Sequence, residues 1–455
     1  MRNYKFIFFV GIIALLSNSV NAQKGTQSPY SVFGLGELNN GEYAYFMAMG
    51  NALTANTDST IVNQNNPASY SYISRFRPLF QIGINGKFST FTEGTNSTKQ
   101  RQFGLNQFQL GFPIMKNWGG SFGLTPYSST GYNITNNDIL PSNDSVQYID
   151  EGAGTVSKFH IGTSYKRRFG RSSLAVGVNA NFLFGSSNKI ESFEYINFPG
   201  AALHSRVERK TRVNSVVFDL GLIFEQRLQK NNSFSLGLKY SPSAKLKANQ
   251  DLLSFAYSES YYGNLNFNYG IRIVDTVDFV NNNSGTIYLP ESYNVGFEYR
   301  MRGENQSYLI KISGDIKFQK WSSYYEDFND IITSPNFKDR METAFGLQLS
   351  PHVGRNSNNN KVSMLNRLHY RVGFNYTSSQ LFVNNTQLTN YGISFGLGIP
   401  VTTGNSNTNL NLSVKYGSMG TINSGLIKED YLGVYFGITI SPGVYDRWFL
   451  KRKYD

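Results

Sequence analysis

The sequence predicts an all-β fold: a 14-stranded antiparallel transmembrane β-barrel carrying an N-terminal plug, or hatch, in its lumen. Three observations carry that expectation. From residue 78 onward, segments of about ten residues or more alternate apolar and polar side chains. The links between those segments sort into short and long. Ahead of them, residues 43–73 do not follow strand periodicity.

Composition agrees with this class. The 455 residues are 40% hydrophobic and 15% aromatic but only 16% charged, whereas soluble domains carry about 25% charged residues. The counts Tyr 30, Phe 35 and Gly 43 against Pro 13 suit glycine-punctuated strands with aromatic positions at two membrane interfaces. Cys is absent, which excludes disulfides, thiolate metal sites and cysteine redox chemistry.

Residues 1–22 read as a cleaved signal peptide. Arg2 and Lys5 precede an apolar run from Phe6 to Leu16, and Val20-Asn21-Ala22 places small residues for cleavage before Gln23. The run is shorter than the roughly 20 residues a spanning helix needs. Removing those two cations lowers the formal charge from +12 to +10. Lys and Arg are scattered outside the tail, so no nucleic-acid partner is expected, and acidic lipid headgroups are the better match for the charge.

The alternating segments are 78–90, 102–115, 118–127, 155–169, 173–185, 213–226, 234–247, 291–301, 308–318, 342–350, 367–377, 388–401, 408–417 and 431–441. In the first, Phe80, Ile82, Ile84 and Phe88 share one face, and Gln81, Gly83, Asn85 and Lys87 the other. A slip of one residue would invert both faces, so the alternation decides which side meets lipid. Short links at 116–117, 170–172, 227–233, 302–307 and 402–407 contrast with long ones at 128–154, 186–212, 248–290 and 319–341. That asymmetry is the outer-membrane pattern, with the long loops extracellular. Residues 351–366 break it with a polar, Asn-rich link, and 264–274 alternate weakly enough to hide extra strands.

The chain therefore divides into signal peptide 1–22, plug 23–75, barrel 76–441 and a basic-aromatic tail 442–455. Tyr445, Trp448 and Phe449 with Arg447, Lys451, Arg452 and Lys453 suit anchoring at the membrane interface or docking of a partner.

Catalysis finds no support. His160, His204, His352 and His369 are far apart, no H-E-x-x-H or G-x-S-x-G motif occurs, and no cofactor or metal is expected. Binding finds more. A 14-stranded barrel is too wide for side chains alone to fill. Within the plug, Tyr43, Phe46, Met47 and Met49 offer adaptable apolar surface, suited to a greasy ligand or to packing against the wall. Phe193, Tyr195, Phe198, Phe255, Tyr257, Tyr261 and Tyr262 on the long loops are candidates for an outer capture surface.

These pieces resemble a known family. A cleaved signal, MAMGNALTA at 47–55, NNPAS at 65–69, LPESYNVGFEYR at 289–300, GDIKFQKWSSY at 314–324 and RVGFNY at 371–376 occur in the order found in FadL-like outer-membrane transporters of long-chain fatty acids and other hydrophobic compounds. The resemblance implies a luminal hatch, capture between the third and fourth extracellular loops, and lateral release through a gap in the wall. It places the hatch turn at Asn66, Pro67 and Ala68. SPYSVFGLGELNN at 28–40 and the tail mark a variant branch.

The expected function is passive uptake of hydrophobic small molecules by a monomer in a Gram-negative outer membrane, with outer-membrane lipids and a hydrophobic ligand as partners. The alternative is a non-transporting scaffold subunit of an envelope secretion or outer-membrane assembly complex, with envelope proteins as partners.

Overall fold

The structure, a computed structural model, describes residues 25–442 apart from 40, 76, 143, 197–202, 230–231, 261–269, 304–306, 353–362 and 404–405. The expected signal peptide, the tail residues from Tyr445 to Lys453, and Phe198, Tyr261 and Tyr262 lie outside the described residues.

Fourteen antiparallel strands form the wall. The first seven are β1 (Leu79–Glu93), β2 (Asn96–Met115), β3 (Trp118–Ile139), β4 (Ser145–Phe169), β5 (Ser172–Tyr195), β6 (His204–Arg227) and β7 (Ser233–Ser241). The second seven are β8 (Ser292–Arg302), β9 (Leu309–Gln319), β10 (Arg340–Ser350), β11 (His369–Val383), β12 (Thr386–Thr403), β13 (Ser406–Met419) and β14 (Lys428–Ser441). Each pairs with the next, and β14 returns to β1 with Lys428 opposite Thr92 and Ile440 opposite Phe80. Closure removes the bare backbone that hydrocarbon would penalise by several kcal/mol per group. Among the described residues no helix is long and apolar enough to cross a membrane.

Each alternating segment read from the sequence falls on one of these wall strands, except that 234–247 overshoots β7, which ends at Ser241, and runs into an outer strand that starts at Ala244. Ile82, Ile84 and Phe88 face outward and are exposed, while Gln81, just before Ile82, is fully buried. The same division recurs around the barrel, with Val216, Phe218 and Leu220 outside and Asp219 inside. This apolar outer belt makes it a transmembrane β-barrel.

Much of the long links is strand. β3 to β6 run 22, 25, 24 and 24 residues, about twice the length that spans a bilayer, so their upper halves form a sheet above it. The link 248–290 holds an outer hairpin, Ala244–Ser260 with Gly270–Leu289, that pairs onto β6 and does not enter the wall. Register shifts between Ile273 and Asp275, Thr276 and Asp278, and Val280 and Asn283 interrupt its alternation, which is why the sequence shows it only weakly.

Candidate functional site: a plugged lumen and a split wall

The segment ahead of β1 lies inside the barrel. It contains one short helix, α1 (Ala44–Ala48), and a 3₁₀ turn at Pro67–Tyr72. Asn66 is extended, at φ −137° and ψ 110°, as a residue before proline must be, and its side-chain oxygen accepts from the Ala68 N–H at 3.1 Å. The Asn66 amide donates to the carbonyls of Thr54 at 2.7 Å and, more weakly, to Leu222 on β6 and Leu238 on β7 at 3.3 Å each. The expected hatch turn thus ties the plug to two neighbouring wall strands.

Other wall strands supply further ties. Asp315 on β9 accepts from the N–H groups of Leu53 and Thr54, both at 2.7 Å, and from the Thr54 hydroxyl at 2.8 Å. Glu298 on β8 accepts from Asn56 at 2.9 Å, and Arg300 donates to the Thr57 carbonyl at 3.2 Å. Lys311 forms an ion pair with Asp58. Tyr43 meets Thr439 on β14 at 2.7 Å, Tyr70 donates to Asn179 on β5 at 3.0 Å, and the Ser71 N–H donates to Ser164 on β4 at 2.6 Å. The groups named here pair across the interface, while Thr57 Oγ1, Gln64 Oε1, Arg300 Nη2 and Asp315 Oδ1 are buried without a partner; a lost partner costs about 1–3 kcal/mol.

Inward-facing glycines let the plug come this close. A Cβ at Gly237 on β7 would fall on the Thr54 carbonyl, and one at Gly373 on β11 would fall on the Gly50 N–H. Burial raises the Asp58 carboxyl, but the Lys311 ammonium and then the Arg300 guanidinium outweigh it and hold the group well below the usual carboxylate range.

The aromatic and Met residues proposed for a ligand all lie in packed contacts. Tyr43, Phe46 and Met49 cluster with Tyr45, Leu53 and Ile61, and Met47 packs with Ala44 and Tyr435 of β14. The Tyr43 and Phe46 rings meet edge to face with centroids 5.5 Å apart. Of the outer candidates, Phe193 pairs across β5 and β6 with Ser205, which pairs in turn with Ala256 of the hairpin. Tyr257 lies opposite His204, one position along. Successive strand positions face opposite sides, so Phe193 and Tyr195 occupy one face of the extracellular sheet and Phe255 and Tyr257 the other.

Above the plug, Trp321, Tyr324 and Phe337 from the link after β9 join Tyr30 and Leu35 of the N-terminal segment in one apolar core that caps the lumen. Between cap and plug are polar cavities. One of about 110 Å³ has Glu37, Lys87, Arg340, Glu342 and Lys415 beside the candidate residue Met47 and beside Leu381 and Met419, and one of about 170 Å³ has Lys158, Asp219, Lys239 and Lys317 beside Val217, Leu289 and Trp321. Glu298 and Arg300 lie within LPESYNVGFEYR and Asp315 within GDIKFQKWSSY, but neither they nor Lys311 receive a role from the sequence. Charge at the polar positions of alternating strands was the signal that could have marked them as luminal.

The wall is split at one place. The β2–β3 ladder runs from Met115 opposite Trp118 to Phe108 opposite Leu124 and goes no further. Beyond it the N-terminal segment steps in: Glu37 and Leu38 pair with Ser129 and Ser128 of β3, and the Ser31 hydroxyl exchanges hydrogen bonds with the Gly131 N–H and carbonyl at 3.0 and 3.2 Å. Glu37 is held by Lys87 at 3.2 Å, which also reaches Glu429 on β14 at 2.8 Å.

A 14-stranded transmembrane barrel with a split wall has a FadL-like fold. Within that class, residues 4–455 match the family model described as BamG, and the chain belongs to the BamG family. A FadL homologue from Pseudomonas aeruginosa shares the fold at 11% identity, with a TM-score of 0.51 and coverage of 90% of this chain and 99% of that one. A deltaS2S3 mutant of TodX, described as a monoaromatic hydrocarbon channel, shares it at 15% identity, with a TM-score of 0.50 and coverage of 89% and 99%. The toluene transporter TodX comes from Pseudomonas putida. At these identities the likeness is one of fold. No curated protein matches the chain in sequence.

Proposed function

We propose that this protein is a plugged barrel of the Gram-negative outer membrane that serves as a scaffold subunit of an outer-membrane assembly or envelope secretion complex. One observation carries the reading: the plug is tied to β4, β5, β6, β7, β8, β9 and β14 by buried polar and ionic contacts, beneath an aromatic cap. The cavities between the two mix charges with apolar side chains such as Met47, Leu381 and Met419, and the charges are unfavourable for a greasy molecule. The extracellular sheet and outer hairpin supply a raised surface for protein partners. Gentle detergent extraction and mass analysis test this. A stoichiometric complex, lost when the outer hairpin is shortened but the barrel still folds, is expected; a lone barrel from native membranes overturns it.

A second reading is passive uptake of hydrophobic small molecules by a monomer. The split between β2 and β3 favours it, as does a fold shared with a FadL homologue and with a channel described as passing monoaromatic hydrocarbons. In that reading Tyr43, Phe46, Met47 and Met49 gate a ligand that Phe193, Tyr195, Phe255 and Tyr257 first capture, and the turn Asn66, Pro67 and Ala68 is the hinge. Uptake of a labelled fatty acid or aromatic hydrocarbon that changes on Pro67→Trp, with the barrel still folded, supports it; unchanged uptake excludes it.

A further inference from the structure

The split exposes a strand edge that needs a partner. Residues 96–107 of β2 pair with β1 on one side and, among the described residues, with no strand on the other. Bare backbone beside hydrocarbon is costly, and barrels close to avoid it. The N-terminal segment covers only part of the opening: Glu37 and Leu38 pair with β3, the Gln102 side chain donates to the Gly25 carbonyl, the Gln27 amide donates to the Arg101 carbonyl at 3.5 Å, and the Asn106 amide donates to the Glu42 carbonyl at 2.6 Å. Behind the opening lies a cavity of about 220 Å³ with a polar floor of Glu37, Glu42, Asn85, Lys87, Gln102 and Asn106.

The outer surface of β2 beside this slit is graded. Alternation sets Lys99, Arg101, Phe103 and Leu105 in one outward column, with Phe103 50% and Leu105 59% exposed. The Phe103 ring meets Phe88 of β1 edge to face at 5.6 Å, at the upper end of the apolar run on β1. Lys99 and Arg101 stand just beyond that rim, and neither forms an ion pair among the described residues. Read from the membrane outward, the column is apolar and then cationic, the order of an acyl chain and its phosphate.

We propose that the split between β2 and β3 binds an anionic membrane lipid, its acyl chain against Phe103 and Leu105 and its headgroup phosphate on Lys99 and Arg101. The bound lipid covers the bare β2 edge, and its polar linkage meets the floor at Gln102 and Asn106. This site depends on the barrel's place in a membrane and not on either functional reading above.

The test uses the full chain in nanodiscs of phosphatidylcholine containing a minor fraction of phosphatidylglycerol, released gently for native mass spectrometry. Phosphatidylglycerol is expected to stay bound in preference to phosphatidylcholine. The Lys99→Gln/Arg101→Gln variant is expected to lose about thirtyfold in that preference, two cations each contributing about 1 kcal/mol. Lys116→Gln, on a turn at the opposite end of the barrel, is expected to leave it unchanged, and Phe103→Ala/Leu105→Ala to weaken retention of both lipids. A heat-modifiable gel shift confirms that each variant is folded. Equal retention of the two lipids, or an unchanged preference in the double cation variant, overturns the proposal. So does displacement of the lipid by inorganic phosphate alone, which reduces the site to an ion contact.

Discussion

Asp315 and Leu53, 262 residues apart in the chain, meet where one carboxylate oxygen accepts the Leu53 N–H at 2.7 Å. The same oxygen takes the Thr54 N–H and hydroxyl. Three donors of the plug therefore converge on a single wall side chain.

Asp315→Ala is expected to weaken plug docking by about 1–3 kcal/mol, since it strands the buried donors of Leu53 and Thr54 and such losses are not additive. Hydrogen exchange at the Leu53 and Thr54 amides reads this directly. Protection unchanged from the parent protein, in a barrel that keeps its heat-modifiable shift, would show that Asp315 does not hold the plug.

Asn66→Ala is expected to cost about 1–3 kcal/mol, because it removes the cap of the Pro67–Tyr72 turn and leaves the Thr54 carbonyl without that donor. Exchange at the Ala68 amide should rise with it. Asn66→Asp keeps the cap oxygen but loses the donor, so a variant as stable as the parent would assign the effect to the cap alone.

Gly237→Val places a side chain where the Thr54 carbonyl lies, and Gly237→Ala a smaller one in the same place. Graded displacement of the plug is expected, read as increasing protease cleavage within residues 43–73. Equal resistance in both variants contradicts a close approach at this strand.

The Asp58–Lys311 pair sets the pH behaviour. The Asp58 carboxyl is depressed in the folded state, so its stabilisation is complete above the unfolded value of about 3.9 and is lost as pH falls through the folded value. The contribution of this pair to docking is expected to be level from about pH 5 to 8 and to be lost only in strong acid. Asp58→Asn should cost about 3 kcal/mol across that range by stranding the Lys311 charge. A difference between the parent protein and Asp58→Asn that vanishes near pH 6 would contradict this.

How much of this was legible in the sequence follows from range. The wall was legible because lipid imposes period-2 alternation locally, as in Ile82, Ile84 and Phe88 after Gln81. The hatch turn was legible because Asn66-Pro67 constrains its own backbone. The partners of the plug were not, since Asp315 with Leu53 or Lys311 with Asp58 join distant positions that no short pattern marks. Gly237 and Gly373 read as ordinary strand punctuation, although their role is to admit another backbone. The split was equally hidden, because β2 continues to alternate through Lys99, Arg101, Phe103 and Leu105 after its β3 partner has gone.

The absence of Cys allows a single engineered disulfide between positions 71 and 164, where the Ser71 N–H and the Ser164 hydroxyl are 2.6 Å apart. The deciding measurement is the rate at which a labelled fatty acid enters liposomes containing the Ser71→Cys/Ser164→Cys protein, oxidised and then reduced. A plug that stays docked in a scaffold barrel is expected to give the rate of empty liposomes in both states. Protein-dependent entry that appears on reduction and stops on oxidation would contradict the scaffold account and establish a gated transporter.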